Sequence, residues 1–178
     1  AAITKADERK GATFVYSVVG FPTPTTEITI LEKISELLAS GDANSRAGAL
    51  ASIGALATTL AQDVEPFLMP LLASVIELAA DKQRFVKDAA SEAGSALVSI
   101  MSPFAAKFVL TMLFEMATSG GAGHKWEVQV AALDMIVVVC GTAPEQVSQV
   151  LSDVITCTSD LMNVSKKQVA DAATAAMT

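Results

Sequence analysis

One histidine, two cysteines, one tryptophan and one tyrosine in 178 residues leave little material for catalytic chemistry. A histidine-based metal site or nucleophile–base pair has only His124 to draw on. Neither Cys140 nor Cys157 stands at a metal-binding spacing from it or from the other cysteine. No Gly-x-Ser-x-Gly segment offers a nucleophile elbow. Two thiols inside apolar helical patterns make no disulfide framework and fit a reducing compartment, the cytosol by default. Long apolar runs are missing as well. Phe104 to Met116 is interrupted by Lys107 and Glu115, and Val128 to Cys140 by Asp134, so neither supplies the roughly 20 uninterrupted residues of a membrane span. The segment Ala1 to Lys10 is too polar for a signal peptide, and its missing Met is expected of a trimmed or processed chain. Positive charge is also in deficit. Twelve Lys and Arg stand against nineteen Asp and Glu, and the net charge of −7 argues against coating nucleic acid by bulk charge. A local basic patch remains open.

What is abundant is small apolar side chains. At 52% hydrophobic, the chain is too apolar for general disorder. Its Ala, Val and Leu residues recur in a repeat of apolar or small positions at n, n+3, n+4 and n+7. The copies are Arg46-Ala49-Leu50-Ile53, Val86-Ala89-Ala90-Ala93, Val128-Ala131-Ala132-Met135 and Val169-Ala172-Ala173-Ala176. Arg46 is the exception at the first position. The copies start 40, 42 and 41 residues apart, a period expected of stacked helical hairpins of the HEAT or armadillo kind. The offsets put the four residues on one helix face, and their small size lets neighbouring helices approach closely.

Each motif helix follows another amphipathic stretch: Glu27–Ala39, Val64–Ala80, Pro103–Thr118 and Pro144–Leu161. Pro66, Pro103 and Pro144 lie in or near first turns, where a missing N–H costs little, whereas Pro70 is expected to bend its stretch. Gly41 is expected to end a helix in the left-handed conformation, and Asn44 or Ser45 to cap the next. No stretch shows period-two alternation. The expected architecture is all-α, a right-handed HEAT-repeat α-solenoid of stacked antiparallel hairpins. Residues 1–26 hold an orphan helix (Glu8 to Val19) and a Pro-containing linker (Gly20 to Thr26). Residues 27–178 hold four repeats, at about 27–61, 64–101, 103–141 and 144–178. No polar capping repeat is seen at either end, so the chain is expected to be part of a longer array.

The run Asp81-Lys82-Gln83-Arg84-Phe85-Val86-Lys87-Asp88-Ala89-Ala90 resembles the HEAT signature of an Asp, a Val-Lys/Arg pair and alanines. Three further blocks, Val64-Glu65-Pro66-Phe67, His124-Lys125-Trp126-Glu127 and Lys166-Lys167-Gln168-Val169 through Thr178, are similar to the N-terminal HEAT region of translation elongation factor 3. That family is a fungal-type, ribosome-associated ABC ATPase. The resemblance covers about Glu27 to Thr178. It implies a non-catalytic, cytoplasmic scaffold that docks on rRNA and ribosomal proteins near the small-subunit head, in a protein that aids release of tRNA from the exit site. It implies ATP for the parent protein, whose cassettes lie downstream, and neither cofactor, membrane nor small-molecule substrate for this chain. A related array in the ribosome-associated regulator of the amino-acid-starvation kinase shares equivalents of Glu65-Pro66-Phe67 and Trp126 and stands second. A structural spacer with no partner of its own stands third.

Gly120-Gly121-Ala122-Gly123-His124-Lys125 has the look of a phosphate-binding loop and fails as one. No Gly directly precedes the Lys, Trp126 replaces the Ser/Thr that would hold Mg²⁺, and a helix precedes the turn. The basic residues are more telling. Arg46, Lys82, Arg84, Lys87, Lys125, Lys166 and Lys167 all fall at the turn inside a hairpin or the first turn of its second helix. Stacked at about 8–10 Å per helix, such turns would form a ridge some 30 Å long, fit for rRNA phosphates or an acidic protein face. Trp126, beside Lys125, is either a surface anchor for a partner or a seal on the turn. The competing reading of the basic turns is structural. Asp42 and Asp81 share them, and Asp–Arg pairs between repeats would occupy the charges. Cations at a helix start oppose the helix dipole, which hints at a reason beyond folding.

Overall fold

Described residues in the computed structural model are 24–118 and 125–177, with side chains from residue 31 onward, and every element among them is helical. The expected orphan helix Glu8–Val19, the linker residues Gly20 to Thr23, and the turn Gly120–His124 lie outside the described residues. The helices are α1 (Pro24–Leu38), α2 (Ala43–Leu60), α3 (Glu65–Leu68), α4 (Leu72–Glu77), α5 (Arg84–Ser99), α6 (Pro103–Thr118), α7 (Trp126–Thr142), α8 (Pro144–Gln149), α9 (Leu151–Met162) and α10 (Lys167–Ala176). The chain divides into two compact units, one ending at Ile100 and the other beginning at Met101.

Local chemistry explains most of these boundaries. Pro24 starts α1 three residues before the apolar pattern begins, because its fixed φ and missing N–H suit a first turn. Pro103 and Pro144 start α6 and α8 in the same way. Between α1 and α2 the expected capping is corrected on two points. Gly41 does not take the left-handed conformation. The cap of α2 is Asp42, not Asn44 or Ser45. Its extended backbone lets the carboxylate accept from the Ser45 N–H at 2.9 Å and from the Ser45 hydroxyl at 2.9 Å.

The stretch expected as one helix over Val64–Ala80 is instead broken. Turns of 3₁₀ helix at Ala61–Val64, Met69–Leu71 and Leu78–Ala80 alternate with α3 and α4. Pro70 has no N–H to bond the Pro66 carbonyl four residues back, so the chain tightens around it. A second break falls at Val150 (φ −119°, ψ 20°), separating α8 from α9, and no Pro or Gly marks it.

Ala61 ends α2 at φ 48°, ψ −125°, a region natural to glycine and costly for a residue with a Cβ. The substitution Ala61→Gly is therefore expected to stabilise the chain by about 1–2 kcal/mol, read as a higher urea midpoint. An unchanged or lower midpoint would mean that the backbone here carries no strain.

In the first unit α1 packs on α2, α2 on α5, and α4 on α5. In the second, α6 packs on α7, α7 on α10, α9 on α10, and α6 lies beside both α8 and α9. The repeated motif supplies the seams. Val86, Val128 and Val169 at its first position are buried, as are Leu50, Ala90, Ala132 and Ala173 four residues on. Larger side chains from the preceding helices complete each core: Leu68 and Leu72 in the first unit, Leu110 and Leu113 in the second. Polar groups inside are satisfied. Thr158 bonds the Val154 carbonyl at 2.7 Å, and no buried side-chain N or O among the described residues lacks a partner.

Candidate interaction edge at the starts of the second helices

Arg46 stands where the other three copies of the motif have a buried valine, and it behaves as a structural residue. Its Nε donates to Asp81 Oδ2 at 2.8 Å, Nη2 lies 2.7 Å from the same oxygen, and Nη1 donates to the Ser40 carbonyl at 2.7 Å. The side chains are 15% and 7% exposed, so the pair is largely desolvated. Asp81 Oδ1 also accepts from the Gln83 N–H at 2.8 Å. One guanidinium thus ties the end of α1 and the start of α2 to the turn that leads into α5. Arg46 leaves the expected docking set for this physical reason: its donors point into the protein.

Of the remaining cations of that set, all but Lys87 are exposed. In the first unit Lys82 and Arg84 are exposed at the start of α5, and Lys87 is half-buried one turn on. Arg84 is 93% exposed, and its nearest carboxylate, Asp88 on the same helix, is 3.8 Å away. Such a pair is weak in water. The N-cap of α5 is Gln83, whose side chain makes no capping bond.

In the second unit α7 and α10 pack together, and their starts form one cluster. Lys125 is the N-cap of α7 and Lys166 the N-cap of α10, and neither side chain caps its helix. Lys166 Nζ lies 5.0 Å from the centroid of the Trp126 ring, a cation–π contact worth about 0.5–1 kcal/mol at an exposed site. Trp126 remains 36% exposed, and Lys125 and Lys167 are exposed beside it. The contrast with α2 is chemical. There an Asp caps the helix and favours folding. Here lysines occupy the caps and oppose the positive end of the dipole.

No group of three or more His, Cys, Asp or Glu among the described residues is placed to hold a metal, and His124 lies outside them. Burial pushes the thiols of Cys140 and Cys157 up, with the Asp160 carboxylate adding to the effect at Cys157. The thiolate is the reactive form. Both cysteines are therefore expected to react with iodoacetamide at pH 8 far more slowly in the native chain than in urea. Equal rates would contradict the burial. No helix among the described residues is long and apolar enough to cross a membrane.

Comparison with known proteins fits this arrangement of hairpins. The sequence model of the EF3 N-terminal HEAT repeat family matches residues 13–177. The chain belongs to that family. Elongation factor 3 of Zygosaccharomyces rouxii is 34% identical over 139 residues, which is 77% of this chain and 13% of that protein. Elongation factor 3 of Candida albicans is 33% identical over 153 residues, covering 85% of this chain and 14% of that protein. The chain thus spans about one-seventh of these relatives' length. Among solved structures, Kap121p matches 82% of the chain and 14% of its own length at a TM-score of 0.57 and 19% identity. That likeness bears on the fold alone, and with the family match it makes the chain an all-α HEAT solenoid.

The surface that sequence reasoning missed is apolar. Phe104 is 95% exposed and Phe108 66%, although the segment Phe104 to Met116 is the most apolar of the chain. The signal was available: Phe104, Lys107 and Phe108 share one helix face at i, i+3 and i+4, and a lysine marks that face as solvated.

Proposed function

We infer that this chain is a ribosome-docking scaffold of an elongation factor 3-type protein, acting through the exposed cations at the starts of α5, α7 and α10. The parent protein acts in elongation and exit-site tRNA release in the cytoplasm. Its ATP chemistry belongs to cassettes outside this chain, where a Lys125-Trp126 pair in place of Lys-Ser/Thr leaves no nucleotide loop. Hairpins with exposed cations at their turns fit positioning, with the small-subunit head and its rRNA phosphates as the docking surface. The observation that carries this reading is the placing of lysines as N-caps of α7 and α10, next to an exposed Trp126. Folding favours Ser, Thr, Asp or Asn there. A phosphate-bearing surface gives the lysines a use.

The test is the salt dependence of ribosome binding by the purified chain. If Lys82, Arg84, Lys87, Lys125, Lys166 and Lys167 each meet a phosphate, log K falls against log salt with a slope of about −4 to −5.5. A slope near zero would remove phosphate docking from the account.

A further inference from the structure

The second unit carries a groove that the docking edge does not use. It opens between the start of α6 and the end of α8 and holds about 470 Å³. Pro103, Phe104 and Lys107 line it on α6, and Gln146, Gln149 and Val150 on the other side. The Gln129 side chain donates to the Ala117 carbonyl at 2.7 Å, which sets the start of α7 beside the end of α6. The groove is therefore separated from that edge by the length of the 16-residue α6, about 24 Å. Phe104 is 95% exposed, and Phe108, one turn on, 66%. Taking about 200 Å² for a whole aromatic side chain, the two rings expose roughly 300 Å². Apolar area of that size on a folded protein marks an interaction site. Core packing does not explain it, since α6 buries its opposite face through Ala106, Val109, Leu110 and Leu113.

The lining selects the occupant. Its only charge is Lys107, which is exposed and pairs with no carboxylate among the described residues. A single cation suits a single anion. A strand of phosphates would also meet Glu145, which is exposed one turn before Gln149 on the same face of α8, and the chain as a whole carries −7. Spacing adds to this. Gln146 and Gln149 stand one turn apart, with Cβ atoms about 5–6 Å from each other. Each primary amide offers both donors and an acceptor. An extended peptide presents an N–H and a C=O to one edge at every second residue, roughly 6.6 Å apart, so two such amides can hold two of its residues. A helical partner has its backbone groups already bonded and would leave the glutamines without a use. Phe104 and Lys107 also stand one turn apart, which matches two side chains on one side of an extended segment, at i and i+2.

We propose that this groove binds an extended segment of a partner protein in which an aromatic side chain lies two residues from an aspartate or glutamate. The aromatic ring packs on Phe104, the carboxylate meets Lys107, and the main chain bonds Gln146 and Gln149. The proposal is independent of ribosome docking, since it uses the other end of the hairpin and a ligand of opposite charge to the docking edge.

The experiment measures fluorescence anisotropy of labelled ten-residue peptides titrated with the whole 178-residue chain. The peptides are Gly and Ser throughout, blocked at both ends, with a central Phe-Ser-Glu, Phe-Ser-Lys or Ala-Ser-Glu. The Phe-Ser-Glu peptide is expected to bind at least about fivefold tighter than Phe-Ser-Lys and about tenfold tighter than Ala-Ser-Glu. Lys107→Glu is expected to reverse the preference between the first two, and Phe104→Ser to abolish the advantage over Ala-Ser-Glu. Gln146→Leu/Gln149→Leu is expected to weaken all three peptides by at least about fivefold, through the lost main-chain bonds. Circular dichroism checks that each variant stays helical. No binding of Phe-Ser-Glu, equal binding of the three peptides, or a preference that Lys107→Glu leaves unchanged would each overturn the proposal. A single-stranded RNA decamer that binds more tightly than Phe-Ser-Glu and is lost in Phe104→Ser would also overturn it, by giving the groove to nucleic acid.

Discussion

Arg46→Val destabilises the chain by about 3 kcal/mol, although valine is the residue the repeat places at that position. The substitution strands Asp81, which is 7% exposed and otherwise keeps only the Gln83 N–H. Removing one member of a desolvated ion pair leaves the other charge buried, which costs more than the pair contributes. On a chain of this length a loss of that size lowers Tm by roughly 6–12 °C. Arg46→Lys does not rescue, because one ammonium cannot hold both the Asp81 carboxylate and the Ser40 carbonyl as the fork does. The double variant Arg46→Val/Asp81→Asn recovers at least half of the loss. It removes both charges and gives α2 the apolar side chain that Val86, Val128 and Val169 bury in their own helices. Urea unfolding of the two single variants and the double one measures the coupling directly. If Arg46→Val alone were neutral, the pair would not hold α2 to the turn before α5, and Arg46 would rejoin the outward cations.

Lysines 125, 166 and 167 give the opposite result. Changed together to Glu, they weaken ribosome binding and make its salt slope shallower by roughly 2–3, about 0.7–0.9 for each phosphate left without its lysine. The same change leaves the fold as stable or makes it more so. A glutamate in the first turn favours the dipole by about 0.3–1 kcal/mol, which offsets the missing cation–π interaction of similar size. A residue that hurts folding slightly and helps binding greatly is serving the binding. If the triple variant unfolded at lower urea than the wild type, these lysines would be structural.

These two results divide the basic residues. All seven fall at the turn inside a hairpin or the first turn of its second helix, but only Arg46 stands at the motif position where the other copies have a buried valine, a mark that separates it from Arg84 along the chain without naming its partner. What supplies the partner is an aspartate from the next hairpin that turns inward at the same height, and that depends on how hairpins stack. The stacking face itself was legible. Val86, Val128 and Val169, with the small residues four positions on, read as a helix seam and are one. So were the starts of α6 and α8, because Pro103 and Pro144 dictate φ. The broken helix over residues 61–80 was half-legible: Pro70 announced a bend, but the alternation of 3₁₀ and α turns follows from packing of Leu68 and Leu72 around it. Val150 carries no such mark, and nothing in its neighbours explains the break there.

The measurement that decides most is co-sedimentation with 80S ribosomes at low salt, run side by side on three proteins: the wild-type chain, Lys125→Glu/Lys166→Glu/Lys167→Glu, and Arg46→Val/Asp81→Asn. The wild type and the Arg46–Asp81 variant are expected in the ribosome pellet, and the triple lysine variant in the supernatant while still folded. A triple lysine variant that pellets as the wild type does would contradict docking through the starts of α7 and α10.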